Sequence, residues 1–106
     1  MKITFNTRSF RKDSIQGDCH RCPVALGIVQ HFVKKGIEPP DVVVGPNYII
    51  FWYRADMNDV STMMSVSVIT PTNVCRFIRA FDRDEAPNDI DVSIEVELSA
   101  DWYYTK

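Results

Sequence analysis

Two cysteines and a histidine lie together at the start of the most clearly predicted helix of this 106-residue chain. Cys19 and Cys22 form a C-x-x-C motif that encloses His20. Thiols at a helix N-terminus and beside cations have lowered pKa values, so this position is typical of reactive cysteines. The same spacing is half of a zinc site, with His20 as a third candidate ligand. The motif therefore indicates thiol-redox chemistry, zinc binding, or a structural role in which Cys22 caps the helix.

The motif is incomplete as a chemical site. Zinc needs two ligands beyond a C-x-x-C, and the sequence contains no second C-x-x-C and no H-x-x-x-H. Pro23 follows Cys22 directly, and no βαβ pattern typical of thioredoxin-like proteins precedes the cysteines. A Ser-His-Asp order, a paired-carboxylate signature and a glycine-rich phosphate loop are also missing. We therefore predict no catalytic residues and no cofactor, and a protein that is not an enzyme.

Three arginines form a second group of candidate residues. Arg76, Arg79 and Arg83 recur at i, i+3 and i+7, which places them opposite the apolar stripe of the second predicted helix. Guanidinium groups bind phosphates and carboxylates in bidentate fashion, so the three arginines are candidate partner contacts. The competing interpretation is ordinary surface ion pairing with the acidic segment 82–85.

Aromatic side chains provide a third group, consisting of Trp52, Trp102, Tyr103 and Tyr104. Tryptophan, tyrosine and arginine dominate the binding energy of protein interfaces. Trp52 belongs to the run YIIFWY at 48–53, which is apolar on both faces, whereas two helices cover only one face of a sheet. We therefore predict a partner-binding or self-association surface near these four aromatics. Alternatively, the aromatic tail folds back over an edge of the core.

Local signals predict the elements that position these residues. The N-cap position falls on Cys22 and the first helical position on Pro23, while Gly36 ends the first helix. The predicted elements, in chain order, are a strand at 1–6, a helix at 23–35, strands at 42–44, 48–53 and 64–69, a helix that begins at Pro71 with Thr70 as its N-cap, and a strand at 90–98. This β-α-β-β-β-α-β order predicts a single α+β domain over residues 1–106. We expect a mostly antiparallel sheet of four or five strands, with both helices on one face.

Composition narrows the class of protein. No apolar run approaches the roughly 20 residues of a membrane span, the N-terminus does not resemble a signal peptide, and three cysteines do not favour a disulfide framework. These features predict a cytoplasmic protein without a membrane partner.

Charge is divided unevenly along the chain. Residues 1–35 carry seven Lys and Arg against two Asp and Glu, a balance of +5, and residues 36–106 carry five against twelve, a balance of −7. This division predicts opposed charged surfaces unless folding interleaves the two halves. The basic N-terminal segment makes nucleic-acid binding an alternative, but a net charge of −2 and a pI near 5.6 count against it.

Two stretches support a resemblance. Residues 22–27, CPVALG, are similar to the C-P-(I/V)-A-x-(A/G) helix start of many small uncharacterised proteins of phages and bacteria. In those proteins a strand ending in V-x-V-G follows, as at 42–45, and an F-I-x-x-F-D segment precedes the last strand, as at 77–82. The resemblance implies a small phage-type accessory protein that acts on host machinery, in the cytoplasm of the host cell.

The leading hypothesis from the sequence is a non-enzymatic binding protein. It would act by contact with a host protein, and it would also be able to form a homodimer. The alternatives are a thiol-redox or zinc-binding protein that uses Cys19 and Cys22, and a nucleic-acid binder that uses the basic N-terminal segment.

Overall fold

The computed structural model describes residues 1–54 and 63–97 of the chain. The elements are β1 (Lys2–Asn6), a 3-10 helix (Thr7–Phe10), α1 (Pro23–Lys34), β2 (Asp41–Val44), β3 (Tyr48–Arg54), β4 (Met63–Ile69), α2 (Thr72–Asp82) and β5 (Asp91–Glu95). The predicted α+β class and the predicted order of strands and helices are confirmed. No helix in the described part of the chain is long and apolar enough to span a membrane.

The strands form two antiparallel sheets, so the prediction of one sheet of four or five strands is wrong. β1 pairs with β5, and β2, β3 and β4 form a three-stranded sheet in that order. The second sheet is a meander in which each strand pairs with its neighbour in sequence, whereas the first sheet joins the two ends of the described chain. The prediction that both helices lie on one face of a single sheet is also wrong for α1, because α1 contacts β1 of one sheet and β2 of the other.

The first helix begins as the sequence predicts. Cys22 is the N-cap with extended backbone angles, and Pro23 occupies the first helical position, where its missing N–H removes no hydrogen bond. Gly27 faces β1 and lies directly against the ring of Phe5, which packs edge-on against Phe10 with 5.6 Å between ring centroids. These contacts fix α1 over the first sheet.

The second helix begins one residue later than predicted, and Thr70 is not its N-cap. The N-cap residue is Pro71, which makes no side-chain capping hydrogen bond. Instead, the Thr70 hydroxyl donates to the carbonyl oxygen of Gly45 at 2.8 Å, and its N–H donates to the carbonyl oxygen of Asn47 at 3.0 Å. Thr70 therefore ties the end of β4 to the β2–β3 turn.

The alternation predicted for the last strand is present over a shorter span. Val92, Ile94 and Val96 are buried, while the intervening polar residues are exposed. β5 itself runs only from Asp91 to Glu95. The end of the predicted strand at Leu98 lies outside the described residues.

The buried apolar side chains of both sheets and both helices belong to one core. Folding also interleaves the two charge halves of the sequence. Arg11 Nε lies 2.6 Å from Asp89 Oδ1, and Arg8 Nε lies 3.6 Å from Asp89 Oδ2. Because basic residues of the first half pair with an acidic residue of the second, the uneven charge division does not translate into two fully opposed surfaces.

Candidate functional site

The three-stranded sheet has one face that is buried in the core and one face that the described residues leave open. Along β3, Ile49, Phe51 and Tyr53 are buried in the core. In alternation with them, Tyr48 and Trp52 point the other way and remain 56% and 41% exposed. The outer face of this sheet consists of Asp41, Val43, Tyr48, Ile50, Trp52, Ser65, Ser67 and Ile69.

Strand register brings the apolar residues of the outer face together. Ile50 lies between Val43 and Ser67, and Tyr48 lies opposite Ile69, which is 78% exposed. Directly opposed residues on one face of an antiparallel pair have Cβ atoms about 4.5–5.5 Å apart. The outer face therefore carries a group of neighbouring apolar side chains beside three polar residues, and the described part of the chain leaves this face open. Trp52 lies in it, whereas the other three predicted aromatics, Trp102, Tyr103 and Tyr104, lie outside the described residues.

The C-x-x-C motif borders this surface. Asp41 is the cross-strand neighbour of Trp52, and its Oδ1 atom lies 3.9 Å from Nε2 of His20. The Val44 N–H also donates to the carbonyl oxygen of Cys19 at 3.0 Å. The fold thus brings the loop that carries the motif to the β2 edge of the outer face, an association that no sequence pattern indicated.

The two cysteines of the motif have different environments. Cys22 is 2% exposed, and its Sγ accepts the Ala25 N–H at 3.4 Å as the helix cap. Burial raises the pKa of the Cys22 thiol despite the backbone hydrogen bonds that act to lower it. Cys19 is exposed, and its Sγ lies 3.5 Å from Nδ1 of His20. All three cysteines of the chain are free.

Three donor groups converge around the exposed cysteine. Asp18, Cys19 and His20 each offer one ligand atom, and these atoms lie within 4.8 Å of one another. Asp18 Oδ1 is 3.8 Å from His20 Nδ1 and also accepts the His20 N–H at 2.9 Å. Among the described residues this is the one group of three such ligands, and it contains Asp18 in place of Cys22. Sequence spacing favoured Cys22 because the C-x-x-C pattern does not show which way each thiol points.

Arg76 and Arg79 of α2 are exposed, as the helical spacing predicts, and so is Arg83, the C-cap residue of that helix. None of Arg76, Arg79 and Arg83 forms an ion pair with a described residue, so the expected pairing with the acidic segment 82–85 is not seen there. Asp82 instead accepts the Gly17 N–H at 3.1 Å. A groove of about 350 Å³ runs beside Arg76, lined also by Asn73, Phe77, Ala80, Pro87, Asn88 and Ile90.

A polar network around Asp89 was not predicted from the sequence. The Thr7 hydroxyl donates to Asp89 Oδ1 at 3.1 Å and accepts the Ile90 N–H at 3.0 Å, while Arg11 donates to the same carboxylate. Burial acts to raise the pKa of Asp89, but the hydrogen bonds from Thr7 and Arg11 and the charges of Arg11 and Arg8 hold it below its usual value. Thr7 directly follows β1, and Asp89 and Ile90 directly precede β5, so this network joins the end of β1 to the start of β5. Thr7 itself is fully buried.

No family model, curated protein or solved structure matches this chain. The candidate residues of the described regions fall into three groups: the outer face with Trp52, the donor group around Cys19, and the arginines of α2. The first two meet at Asp41. The chemistry of these groups is therefore what bears on the function of the chain.

Proposed function

We propose that this protein is a small non-enzymatic binding protein that acts by protein–protein contact through the outer face of its three-stranded sheet. The observation that carries the proposal is the exposure of Tyr48, Trp52 and Ile69 on a regular sheet. Contiguous apolar surface is uncommon on monomers and marks interaction sites. Trp52 is the expected hot spot, because tryptophan contributes most often to binding energy when a partner buries it.

The shape and the border of the outer face favour a protein as the ligand. Pockets for small molecules are concave and enclose most of the ligand, whereas a pleated sheet face is shallow. Charged and polar groups at the border, Asp41 and His20, resemble the polar rim that surrounds the apolar centre of protein interfaces. The resemblance of residues 22–27 and 77–82 to small phage proteins supports a host-cell protein as the partner.

Zinc binding at the donor group around Cys19 is a second candidate function. Donor atoms bound tetrahedrally to one zinc ion at about 2.0–2.3 Å lie roughly 3.3–3.8 Å apart. The distances from His20 Nδ1 to Cys19 Sγ and to Asp18 Oδ1, 3.5 and 3.8 Å, fall in this range. Thiol-redox chemistry has less support, because the buried Cys22 thiol has a raised pKa and holds little thiolate at neutral pH.

Nucleic-acid binding by the basic N-terminal segment has less support than either candidate. Arg8 and Arg11 are engaged by Asp89, so their charges are partly neutralised. Phosphate contacts need free cations along a continuous surface.

The test of the leading proposal compares proteins captured from lysate of the host cell by the wild type and by matched variants. Trp52→Ala should weaken binding of a captured partner by about 2 kcal/mol, or roughly thirtyfold, because a tryptophan hot spot is lost. Val33→Ala removes a similarly exposed apolar side chain, 43% exposed, from α1 and should bind as the wild type does. Circular dichroism spectra of both variants serve as the control for folding. Capture of the same partners with the same affinity by Trp52→Ala would reject the proposal.

A further inference from the structure

One edge of the three-stranded sheet is left open by residues 1–54 and 63–97, which the structure describes. β4 lies at that edge, since the strand order is β2-β3-β4. The Gly45 N–H donates to the carbonyl oxygen of Tyr48, and the Thr70 N–H donates to the carbonyl oxygen of Asn47. These two hydrogen bonds show which residues of each strand direct their backbone groups to which neighbouring strand. In an antiparallel sheet every second residue directs its N–H and C=O to the same neighbour. Val66 and Val68 therefore bond to β3, whereas Ser65, Ser67 and Ile69 direct their backbone groups outward, where no described residue meets them.

The remaining strand edges of the described chain are protected in ways that β4 is not. On the outer edge of β2, the Val44 N–H is bonded to Cys19 O, and Pro39-Pro40 precedes the strand. β1 carries Lys2, and β5 carries a charged residue at each end. Proline and charge are the usual means of preventing strand addition. β4, with the sequence MMSVSVI, contains neither.

The sequence of β4 is complementary to itself in the antiparallel direction. If Val66 lies on a two-fold axis, Val66 faces its own copy, Ser65 faces Ser67 of the second copy, and Met64 faces Val68. Apolar residues then meet apolar residues and serine meets serine, which are favourable cross-strand pairs. This symmetry also matches the requirement that a two-fold interface use the same residues on both subunits.

The direction of the backbone groups agrees with this register. Ser65 and Ser67 both point their N–H and C=O groups outward, so each Ser65–Ser67 pair across the axis exchanges two hydrogen bonds. Val66 then forms the close, non-hydrogen-bonded pair on the axis, with its half-buried side chain at the open margin of the core. The geometry points to a homodimer in which β4 pairs antiparallel with β4 of a second copy, centred on Val66, so that two three-stranded sheets join into one of six strands.

The inference goes beyond the proposed function and does not depend on it. In the dimer the two outer faces become continuous, because both belong to the same sheet. Ile69 and Trp52 of each copy would still be available to a partner. Trp52→Ala should therefore leave the dimer intact, so failure of the partner proposal and failure of the dimer are separate results.

The first experiment is sedimentation equilibrium on the full chain at micromolar concentrations. The wild type should dimerise. Ser67→Pro removes an outward N–H, which β3 does not use, and should raise the dimer dissociation constant at least about tenfold. Ser67→Thr keeps this N–H and should dimerise as the wild type does. A wild type that stays monomeric, or a Ser67→Pro variant that folds and dimerises unchanged, would overturn the inference.

A second experiment tests the register without relying on a proline variant that folds. In a Cys19→Ser background, which removes the exposed native thiol, Val66→Cys should form an intermolecular disulfide on mild oxidation. Non-hydrogen-bonded antiparallel pairs have Cα atoms about 4.5 Å apart, within the range that a disulfide spans. Ser65→Cys is the matched control, because residue 65 faces residue 67 of the other copy and not itself. Equal or faster cross-linking of Ser65→Cys would reject the register and with it the inference.

Discussion

The contact between Gly27 and Phe5 allows a stability prediction in which two opposing effects can be separated. A methyl group at Gly27 would lie 2.6 Å from Cζ of Phe5, and closer still to Cε2 and Cδ2. The same ring packs edge-on against Phe10 at an interplanar angle of 87°. Gly27→Ala therefore forces the ring or the helix to move.

The expected magnitude follows from the difference between two terms. Alanine in place of glycine in a helix interior gains about 1 kcal/mol of helix propensity. Overpacking of a well-packed contact costs about 1–3 kcal/mol, and the overlap with Phe5 places Gly27→Ala toward the upper end. We expect a net loss of about 1–2 kcal/mol in the free energy of unfolding, opposite in sign to the effect of propensity alone.

The assay is urea denaturation of the wild type, the two single variants and the double variant. Phe5→Ala removes all three ring atoms that the new methyl group would meet, so Gly27→Ala should be neutral or stabilising in that background. The expected coupling is about 2 kcal/mol. Gly36→Ala serves as the control, because a side chain there meets nothing within 4 Å and is opposed only by the positive φ of 71°. Its cost should be the same in both backgrounds.

Two results would refute this reasoning. The first is a Gly27→Ala protein at least as stable as the wild type, which would show that Phe5 moves aside at no cost. The second is a loss that persists unchanged in the Phe5→Ala background. In that case the loss of stability would not come from the contact between residue 27 and the Phe5 ring, and the proposed reason for glycine at this position would be incorrect.

The remaining predictions concern Asp89 and the cysteines. Asp89→Asn should lower the melting temperature at neutral pH, because the folded-state pKa of Asp89 is depressed. The stabilisation that the Asp89 carboxylate provides is present above the ordinary Asp pKa of about 3.9 and is lost as the pH falls. Wild-type and variant melting temperatures should therefore converge as the pH falls through the depressed pKa of Asp89, and a constant difference across the pH series would contradict this assignment. Cys22→Ala should cost about 1 kcal/mol in urea denaturation through the lost cap to Ala25, whereas Cys19→Ser should change stability by less than about 0.5 kcal/mol. Equal costs would refute the division of roles, and a zinc ion seen by native mass spectrometry in the wild type and lost in Cys19→Ser would favour the second candidate function.

The elements of this fold could be predicted because their signals are local. Pro23 at the first helical position and the apolar repeat after it depend on residues a few positions apart. Alternation in β5 is equally local, since side chains of a strand point to opposite faces in turn. Each of these patterns is complete within one element.

The division into two sheets could not be predicted because it depends on pairing between distant residues. Lys2 pairs with Glu95, at the other end of the described chain. Nothing in either strand shows whether it continues the meander of β2, β3 and β4 or pairs separately. The prediction of Thr70 as the N-cap of α2 was wrong for a related reason. Thr70 has the residue type and position of an N-cap, but its hydroxyl donates to the carbonyl oxygen of Gly45 on a neighbouring turn.

The outer face was predictable only in part. The run YIIFWY shows that both faces of β3 are apolar, and this indicated that one face would lack cover. The sequence does not show which residues share a face with Trp52, because that depends on the register with β2 and β4. The outer face lies next to His20 because Asp41, a residue of that face, contacts the His20 ring. Asp41 follows His20 by 21 residues in the chain and belongs to no motif.

The C-x-x-C motif shows why spacing alone does not establish a chemical site. An N-cap side chain turns back toward the first helical turn to accept a free N–H, and Cys22 does so toward Ala25. Burial then raises the pKa of the Cys22 thiol, and only a thiolate attacks disulfides or binds zinc. Cys19, three residues earlier and before the helix, faces solvent with Asp18 and His20. A shared metal or a redox pair requires both thiols to be available at one place, and capping by Cys22 opposes that requirement. The chemistry open to this loop is therefore that of a single exposed thiol with a neighbouring carboxylate and imidazole.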